Sequence, residues 1–259
     1  MEKIITITAS HRPPYTQRVI DSLALCHGVS SYKLVAFVEP ISQHVINIFK
    51  KISFCDVELH VNDARLGHTL NAHKSLSRGF ELSDYVIRIE DDTLLAKDFL
   101  KFHEFCSEKF KNEKDSIFSI SAGHYHEAGR TYRPEELSSF TTRAGFSNQG
   151  WGTWSDRWLE KNGAAEIWEF PETIFGSYYN VNYRYGGWDA LMENTHRKDR
   201  NEIIPIISRV KNIGILNGVH SITPEEHKER IEVADWAYNY ELPDTIEYNE
   251  YSTDNLQQI

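Results

Sequence analysis

Asp84-Tyr85-Val86-Ile87-Arg88-Ile89-Glu90-Asp91-Asp92 is the stretch of sequence that decides the fold. Its run of β-branched and aromatic residues, 85–89, is typical of a strand buried in a sheet. Three consecutive acidic residues, Glu90, Asp91 and Asp92, follow directly at the carboxyl end of that strand. Open α/β sheets bind their ligands at this edge. The stretch therefore predicts a ligand site, and the structural alternative is a solvated acidic turn.

The acidic triplet also predicts the kind of ligand. Adjacent carboxylates repel one another, and a bound cation is the usual reason to gather them. Hard oxygen ligands with open coordination positions suit Mg²⁺ or Mn²⁺, which carry substrate phosphates in many enzymes. We therefore expect Mn²⁺ or Mg²⁺ at the end of this strand.

Strand and helix patterns alternate on both sides of the triplet. Strands are expected at 4–9, 32–38, 57–61, 85–90 and 117–121, and helices at 15–25, after Ser42, from Gly67 and at 98–111. This alternation predicts an α/β fold, Rossmann-like, with a mostly parallel sheet flanked by helices. The loops at the carboxyl ends of the strands should meet at one edge, together with the triplet.

Composition limits the possible classes. The chain has 259 residues, of which 40% are hydrophobic and 25% charged, as in an ordinary globular protein with one large domain. Its net charge of -10 argues against a protein that grips nucleic acid by the phosphates. Three cysteines without a CxxC motif, Cys26, Cys55 and Cys106, indicate reduced, buried thiols and a cytoplasmic protein. With no apolar run of about 18 residues, we expect no transmembrane segment, and any membrane contact would be peripheral.

The two halves of the chain differ in pattern. Residues 1–125 carry the strand–helix alternation, whereas 126–259 are rich in aromatic residues and glycine, with five of the six tryptophans between 151 and 188. We interpret them as two halves of one domain. The tryptophans could pack in a core, or they could give flat walls for sugar rings.

Further motifs follow the triplet in a fixed order. The strand ends are Ala9-Ser10-His11-Arg12 and Val38-Glu39, and later segments are Gln149-Gly150-Trp151-Gly152-Thr153-Trp154, Gly187-Trp188-Asp189, Asn212-Ile213-Gly214 and Gly218-Val219-His220. Together with the triplet, this order resembles a GT-A-fold glycosyltransferase. The likeness is to the inverting N-acetylglucosaminyltransferase I type and to related bacterial family-2-like transferases, over roughly residues 3–227.

The resemblance implies a role for each matching position. Asp92 would bind the metal directly, while Glu90 and Asp91 would position water ligands and the donor ribose or sugar. Arg12 would contact the nucleotide, and Glu39 would recognise the uracil ring, although that family has Asp there. Gly150 and Trp151 would lie under the donor sugar, Trp188 and Asp189 would form the pair whose aspartate is the catalytic base, and His220 would lie near the diphosphate.

The implied activity is metal-dependent, inverting transfer of a sugar from a UDP-sugar to an acceptor hydroxyl, on a glycan or another acceptor. The transferase would be of the hexosyl or pentosyl class, with 1–125 as its nucleotide-sugar-binding α/β half and 126–259 as the acceptor and catalytic half of the same single domain. A metal held by Asp92 would stabilise the leaving diphosphate. Asp189 would take the acceptor proton as general base.

Several residues have structural alternatives. Asp189 could cap a helix at 190–195, Arg12 could form an ion pair, and Glu39 could be a turn residue before Pro40. His220 could be a metal ligand, a phosphate contact or a plain loop residue. The pair His124 and His126 has the spacing of strand-borne metal ligands but lacks a third.

Other function classes stay open at this point. A nucleotidyltransferase would need a glycine-rich phosphate loop after the first strand, and Ser10-His11-Arg12-Pro13-Pro14 has no glycine. An inactive carbohydrate-binding protein could keep the fold without the activity. A viral-type transferase that glycosylates modified DNA bases would share the donor site, but the acidic charge weighs against a nucleic-acid partner.

Overall fold

A computed structural model describes residues 2–123, 132–160, 189, 192–214, 225 and 248–250. In chain order the elements are β1 (Lys3–Ala9), α1 (Pro13–Ala24), β2 (Tyr32–Val38), α2 (Gln43–Lys50), β3 (Asp56–Val61), α3 (His68–Leu82), β4 (Tyr85–Glu90), β5 (Thr93–Leu95), α4 (Phe99–Phe110), β6 (Ile117–Ser121), β7 (Ser139–Arg143), β8 (Trp151–Trp154), α5 (Ser155–Trp158), β9 (Asn201–Pro205), β10 (Val210–Asn212) and β11 (Asn249–Glu250). Short 3₁₀ turns cover Val29–Ser31 and Pro134–Ser138, and a π-helical turn covers Met192–His196.

Nine of these strands form one sheet, in the order β11-β7-β9-β6-β8-β4-β1-β2-β3. Five of its eight neighbouring pairs are parallel, including the continuous block β4-β1-β2-β3. β8 enters antiparallel to both of its neighbours, β4 and β6. The α/β class with a mostly parallel sheet and flanking helices, predicted from the alternation, is confirmed.

Local sequence explains where the helices begin. Pro13 and Pro14 open α1, where a missing N–H costs no hydrogen bond and a fixed φ suits the first turn. Ser42 caps α2, as expected, because its Oγ accepts from the Val45 N–H at 3.4 Å. At Gly67 the chain turns into α3 with a φ of 80°.

The core fills both faces of the sheet. On one face the apolar sides of α1, α2 and α4 pack on Ile5 and Ile7 of β1. On the other face α3 packs on Ile4 and Val86. Strands covered on both faces must be apolar throughout, which is why β1, β2 and β4 read as continuous apolar runs.

For three of the tryptophans the structure supports core packing, one of the two alternatives. Trp151 and Trp158 are fully buried and Trp154 is 6% exposed, so these three rings pack in the core. Trp151 packs edge-on against Phe146, with ring centroids 4.9 Å apart. The other tryptophans of this region, Trp168 and Trp188, lie outside the described residues.

The cysteine prediction holds for two of three residues. All three thiols are free, and Cys26 and Cys106 are buried, but Cys55 is only half-buried. No helix in the part of the chain that the structure describes is long and apolar enough to cross a membrane.

Candidate active site

The acidic triplet lies at the carboxyl edge of the parallel block. Glu90 ends β4 and is paired in register with Thr8 of β1, while Ala9 is paired with Val38 of β2. The loops that begin at Ser10 and Glu39 therefore leave the sheet beside the triplet. This is the edge at which the sequence predicted that these motifs would meet.

Arg12 joins the first loop to the triplet. Its Nη2 lies 2.5 Å from Asp91 Oδ1 and 2.9 Å from Asp92 Oδ2, with all three side chains largely buried. The main-chain carbonyl of Arg12 accepts from Tyr15 and Thr16 and so starts α1. Helix geometry thus fixes the backbone from which this guanidinium reaches two carboxylates.

Asp92 is held by a second, two-stranded sheet that begins immediately after it. β5 pairs antiparallel with β10, and the Ile213 N–H donates to the Asp92 main-chain oxygen at 2.7 Å. Gly214 follows, and a Cβ there would overlap the Asp92 carboxylate. The segment Asn212-Ile213-Gly214, quoted above as a motif, therefore lies against the proposed metal ligand.

Two carboxyl groups of the triplet, Glu90 and Asp91, have raised pKa values. Burial raises the pKa of Glu90 to about 8 against the opposing effect of Arg88, and Asp92, Asp189 and Asp91 act in the same direction as burial. Burial likewise raises the pKa of Asp91 to about 6, with Arg12 acting against it and Asp92 with it. Negative charge is in excess here, which favours binding of a cation.

Arg88 is a site residue that the sequence analysis missed. It is 1% exposed, and its Nη2 donates to Thr8 Oγ1 at 3.0 Å and lies 3.6 Å from Glu90 Oε1. A cation buried under the triplet offsets part of the carboxylate charge. The available signal was a charged residue inside an otherwise apolar strand.

Asp189 lies close enough to the triplet for its charge to act on Glu90. It is half-buried, and its Oδ2 accepts from Asn148 Nδ2 at 3.3 Å. Gln149 Nε2 in turn donates to Asn148 Oδ1 at 3.1 Å, which turns the Asn148 amide so that its N–H faces Asp189. Asn148 was also missed, because nothing local in the sequence signals this contact.

The loop that carries Asn148 is fastened by a buried carboxylate. Glu202 is fully buried, and its Oε1 accepts from Arg143 Nε at 2.6 Å while its Oε2 accepts from the Ser147 N–H at 3.1 Å. Arg143 is the last residue of β7, and Ser147 directly precedes Asn148. This holds the residue that contacts Asp189 to the central sheet.

Gly150 makes the turn into β8 with a φ of 56°, which glycine adopts readily. A Cβ at this position would lie 2.7 Å from Val210 Cγ1 and 2.8 Å from Phe99 Cε2, so a side chain is excluded sterically as well. The Gly150 carbonyl accepts from His103 Nε2 at 3.1 Å. The turn is therefore rigid, although the ring of its neighbour Trp151 points into the core.

The side chain of Glu39, another predicted site residue, is buried and bonded within the protein. It is 3% exposed, and its carboxylate accepts from the main-chain N–H groups of Leu66 and Gly67. Two other predicted site residues, Trp188 and His220, lie outside the described residues, as do His124 and His126.

A divalent metal fits the donor set at the triplet. In the stretches that the structure describes, no three His, Cys, Asp or Glu side chains could hold a metal by themselves. Asp92 offers a hard oxygen, however, and Asp91 Oδ2 is buried without a hydrogen-bond partner in the described residues. One or two protein carboxylates completed by phosphate oxygens and water is the usual coordination of Mg²⁺ at phosphate sites.

A separate cavity of about 690 Å³ opens at the opposite end of the strands. Tyr32, Tyr85 and Trp154 line it, together with acidic and basic side chains that include Glu104 and Lys111. It shares no residue with the triplet edge. Since parallel α/β sheets bind ligands at the carboxyl ends of their strands, we place the chemistry at the triplet.

Solved structures with a similar architecture include three carbohydrate-related proteins. S. aureus TarS 1-349, solved in complex with UDP-GlcNAc, is 14% identical, with a TM-score of 0.42 over 60% of this chain and 46% of that one. The mannosyltransferase PcManGT from Pyrobaculum calidifontis, solved with GDP-Man and Mn²⁺, is 12% identical, with a TM-score of 0.41 over 60% and 45%. The glycosyltransferase GlyE of Streptococcus pneumoniae TIGR4 is 13% identical, with a TM-score of 0.47 over 78% and 45%.

In each case the aligned part is less than half of the other protein. No family model matches the chain. The functional argument therefore depends on the residues of the site.

Proposed function

We propose that this protein is a metal-dependent, inverting glycosyltransferase of the GT-A type that transfers a sugar from a UDP-sugar to an acceptor hydroxyl. The observation that carries the proposal is the charge arrangement at the triplet. Asp92 and Asp91 share one guanidinium, and the carboxylate of Asp189 lies within interaction range of Glu90. A metal-bound leaving group and a base on a separate segment are the two parts that this transfer needs.

Asp92 would hold the divalent ion, with Arg12 beside it. When bound there, Mn²⁺ or Mg²⁺ would supply Lewis-acid stabilisation of the negative charge on the diphosphate, an effect of about several kcal/mol. Arg12 adds a charge-assisted donor on the same side. Because Arg12 is paired with both carboxylates, it also offsets the repulsion between the two acids.

Asp189 would be the general base. A carboxylate at this position accepts the proton of the acceptor hydroxyl as the oxygen attacks the anomeric carbon and the bond to the diphosphate breaks. A single direct displacement of this kind inverts the configuration at the anomeric carbon. The Asn148 amide holds Oδ2 of Asp189, and Oδ1 would accept the proton of the acceptor.

The remaining assignments follow the resemblance. Glu90 and Asp91 would organise the donor ribose or sugar, and Glu39 belongs to the nucleobase end of the donor site. The donor sugar would lie on the turn at Gly150, with Trp151 contributing its main chain since its ring is buried. Trp188 and His220 remain proposals for the sugar and the diphosphate.

A screen of nucleotide sugars for Mn²⁺-dependent release of UDP tests the proposal. We expect at least one UDP-sugar to be consumed with Mn²⁺ or Mg²⁺, no turnover after chelation, and no turnover by Asp92→Asn. A protein that binds UDP-sugars tightly yet releases no UDP under any metal condition would instead be the carbohydrate-binding alternative.

A further inference from the structure

Glu39 stands at the junction of two strands and a helix. Its main-chain N–H donates to Ala9 O at 3.0 Å, which extends the pairing of β1 and β2 by one residue. Its side chain turns away from β1. Oε1 accepts from Leu66 N at 3.2 Å and from Gly67 N at 2.9 Å, while Oε2 accepts from Leu66 N at 3.1 Å.

A second set of hydrogen bonds holds the loop between β3 and α3, residues 62–67, at its other end. Asn62 Nδ2 donates to Asn71 Oδ1 at 2.9 Å and to Glu39 Oε2 at 3.4 Å. Asn71, 2% exposed, donates to Phe37 O at 3.2 Å. The loop between β3 and α3 is thus fixed at both ends to the carboxyl end of β2.

We infer that Glu39 is a positioning residue that holds this loop, residues 62–67, as the wall of the nucleobase end of the donor site. The inference rests on the proposed function. It differs from the role that the family resemblance implies for this position, which is direct recognition of uracil. Glu39 and the triplet lie at the same edge of the sheet, separated by two strand spacings, or about 10 Å, and β3, where the loop begins, is one spacing further away.

The charge of Glu39 indicates which part of a nucleotide can lie here. A carboxylate at the amino end of α3 offsets the positive end of the helix dipole. A phosphate group beside it would be repelled, whereas an uncharged base would not. The diphosphate therefore belongs near Arg12 and Asp92, and the base belongs against the loop.

The hydrogen bonds of Glu39 explain why it acts through the loop. Its carboxylate already accepts from three internal donors, and almost none of its surface is exposed. A buried carboxylate satisfied in this way gains little by turning to a ligand, because it would leave two main-chain N–H groups without partners. The extra methylene of Glu relative to Asp is what lets the carboxylate reach Leu66 and Gly67.

The conservative variant Glu39→Asp separates the two roles. Direct recognition predicts that Asp, the residue of the resembling family, binds uridine nucleotides as well or better. Positioning predicts that the shorter side chain releases the loop. We expect amide hydrogen exchange at Leu66 and Gly67 to become at least about tenfold faster. Titration calorimetry should show UDP and CDP weakened by the same factor, about tenfold, with kcat at saturating donor little changed.

Glu58→Gln is the matched control. Glu58 lies on the neighbouring strand and pairs with Arg78 and His60, without contact to the loop. Glu58→Gln removes a carboxylate from the same region. Because Glu58 does not contact the loop, this variant should leave exchange at Leu66 and Gly67 and the affinity for UDP unchanged. If Glu39→Asp fails to fold, Asn62→Ala removes only the second set of bonds and should give a smaller change of the same kind.

Each remaining outcome overturns the inference. Unchanged exchange with altered base selectivity would mean that Glu39 contacts the base directly, and unchanged exchange with retained selectivity would mean that Glu39 does not hold the loop. Faster exchange with unchanged nucleotide affinity would mean that the loop is no part of the donor site. In each of these cases the release of UDP by the wild-type protein would still support the proposed function. If wild type binds neither UDP nor CDP and consumes no nucleotide sugar, the proposed function fails together with the nucleotide role of Glu39.

Discussion

Gly214 lies directly against the carboxylate of Asp92. A Cβ at position 214 would overlap Asp92 Oδ2, and Asn212 Oδ1 would lie 3.2 Å from that Cβ. The approach is fixed by the backbone, because Ile213 N donates to Asp92 O and Gly214 N donates to Asn212 Oδ1 at 2.8 Å. The absence of a side chain at 214 thus gives the proposed metal ligand the room it occupies.

Substitution of Gly214 should therefore affect metal binding. In Gly214→Ala the new methyl group displaces the Asp92 carboxylate, and we expect the concentration of Mn²⁺ that half-activates UDP release to rise about 10–100-fold. Gly145→Ala is the control, because a Cβ there would meet its nearest atom, Arg143 Nε, at an ordinary 3.7 Å. Equal Mn²⁺ activation in both variants would show that Asp92 is not the ligand.

Asp189 is expected to act on the chemical step. Asp189→Asn keeps the shape of the side chain but removes the base, so kcat should fall about 10²–10⁴-fold with little change in the KM for the donor. Asp199→Asn makes the same chemical change on an exposed turn and should behave as wild type. A variant Asp189→Asn that keeps more than about half of the wild-type kcat would remove Asp189 as the base.

Asn148 should act only through Asp189. Asn148→Ala removes the 3.3 Å hydrogen bond to Oδ2, and we expect kcat to fall by about tenfold, the effect of losing one bond to a charged group. In the Asp189→Asn background the same substitution should change nothing further, since its partner is already gone. Independent, multiplicative losses in the double variant would contradict the coupling.

Gln149→Ala tests the residue that holds the Asn148 amide. Gln149 Nε2 fixes the orientation of the Asn148 amide, so its loss should lower kcat in the same direction but by less. A larger effect than that of Asn148→Ala would mean that Gln149 has a contact of its own with the substrate.

The first half of the fold was predictable because its signals are local. β2, β4 and β6 have the predicted bounds and β1 and β3 each differ by one residue, since short runs rich in β-branched and aromatic residues mark strands locally. The strands after residue 130 were missed. They are two to five residues long and obtain their pairing from distant partners, as Trp151 does by pairing with Arg88.

The positions of two candidate site residues were expected on different grounds. The edge rule predicted that the loop carrying Arg12 would lie beside the triplet, whereas Asp189 was expected near it only from the family resemblance. The sequence could not reveal that Glu39 bonds Leu66 and Gly67, since the reach of one carboxylate across a loop is a tertiary property. It also could not decide whether the Trp151 ring is buried, because an aromatic residue in a glycine-rich segment has the same local pattern whether it faces a ligand or the core.

His103 joins the turn at Gly150 to Tyr85 by two hydrogen bonds that require a neutral imidazole ring. Its Nδ1 accepts from Tyr85 Oη at 2.8 Å and its Nε2 donates to Gly150 O at 3.1 Å, so the ring is neutral in this arrangement. Burial lowers the pKa of His103 to about 3, whereas an unfolded histidine titrates at about 6.5. Between these values the unfolded state binds a proton that the folded state does not, so stability falls as pH falls below about 6.5.

The histidine contribution can be isolated by substitution. His103→Gln can still donate to Gly150 and accept from Tyr85, but it does not titrate. Between pH 7.5 and pH 5, urea unfolding of wild type should lose about 2 kcal/mol more than that of His103→Gln. Every other titrating group is common to both proteins and cancels in the difference. Parallel pH profiles would mean that His103 takes up its proton in the folded state, and that the bond to Gly150 survives with a charged ring.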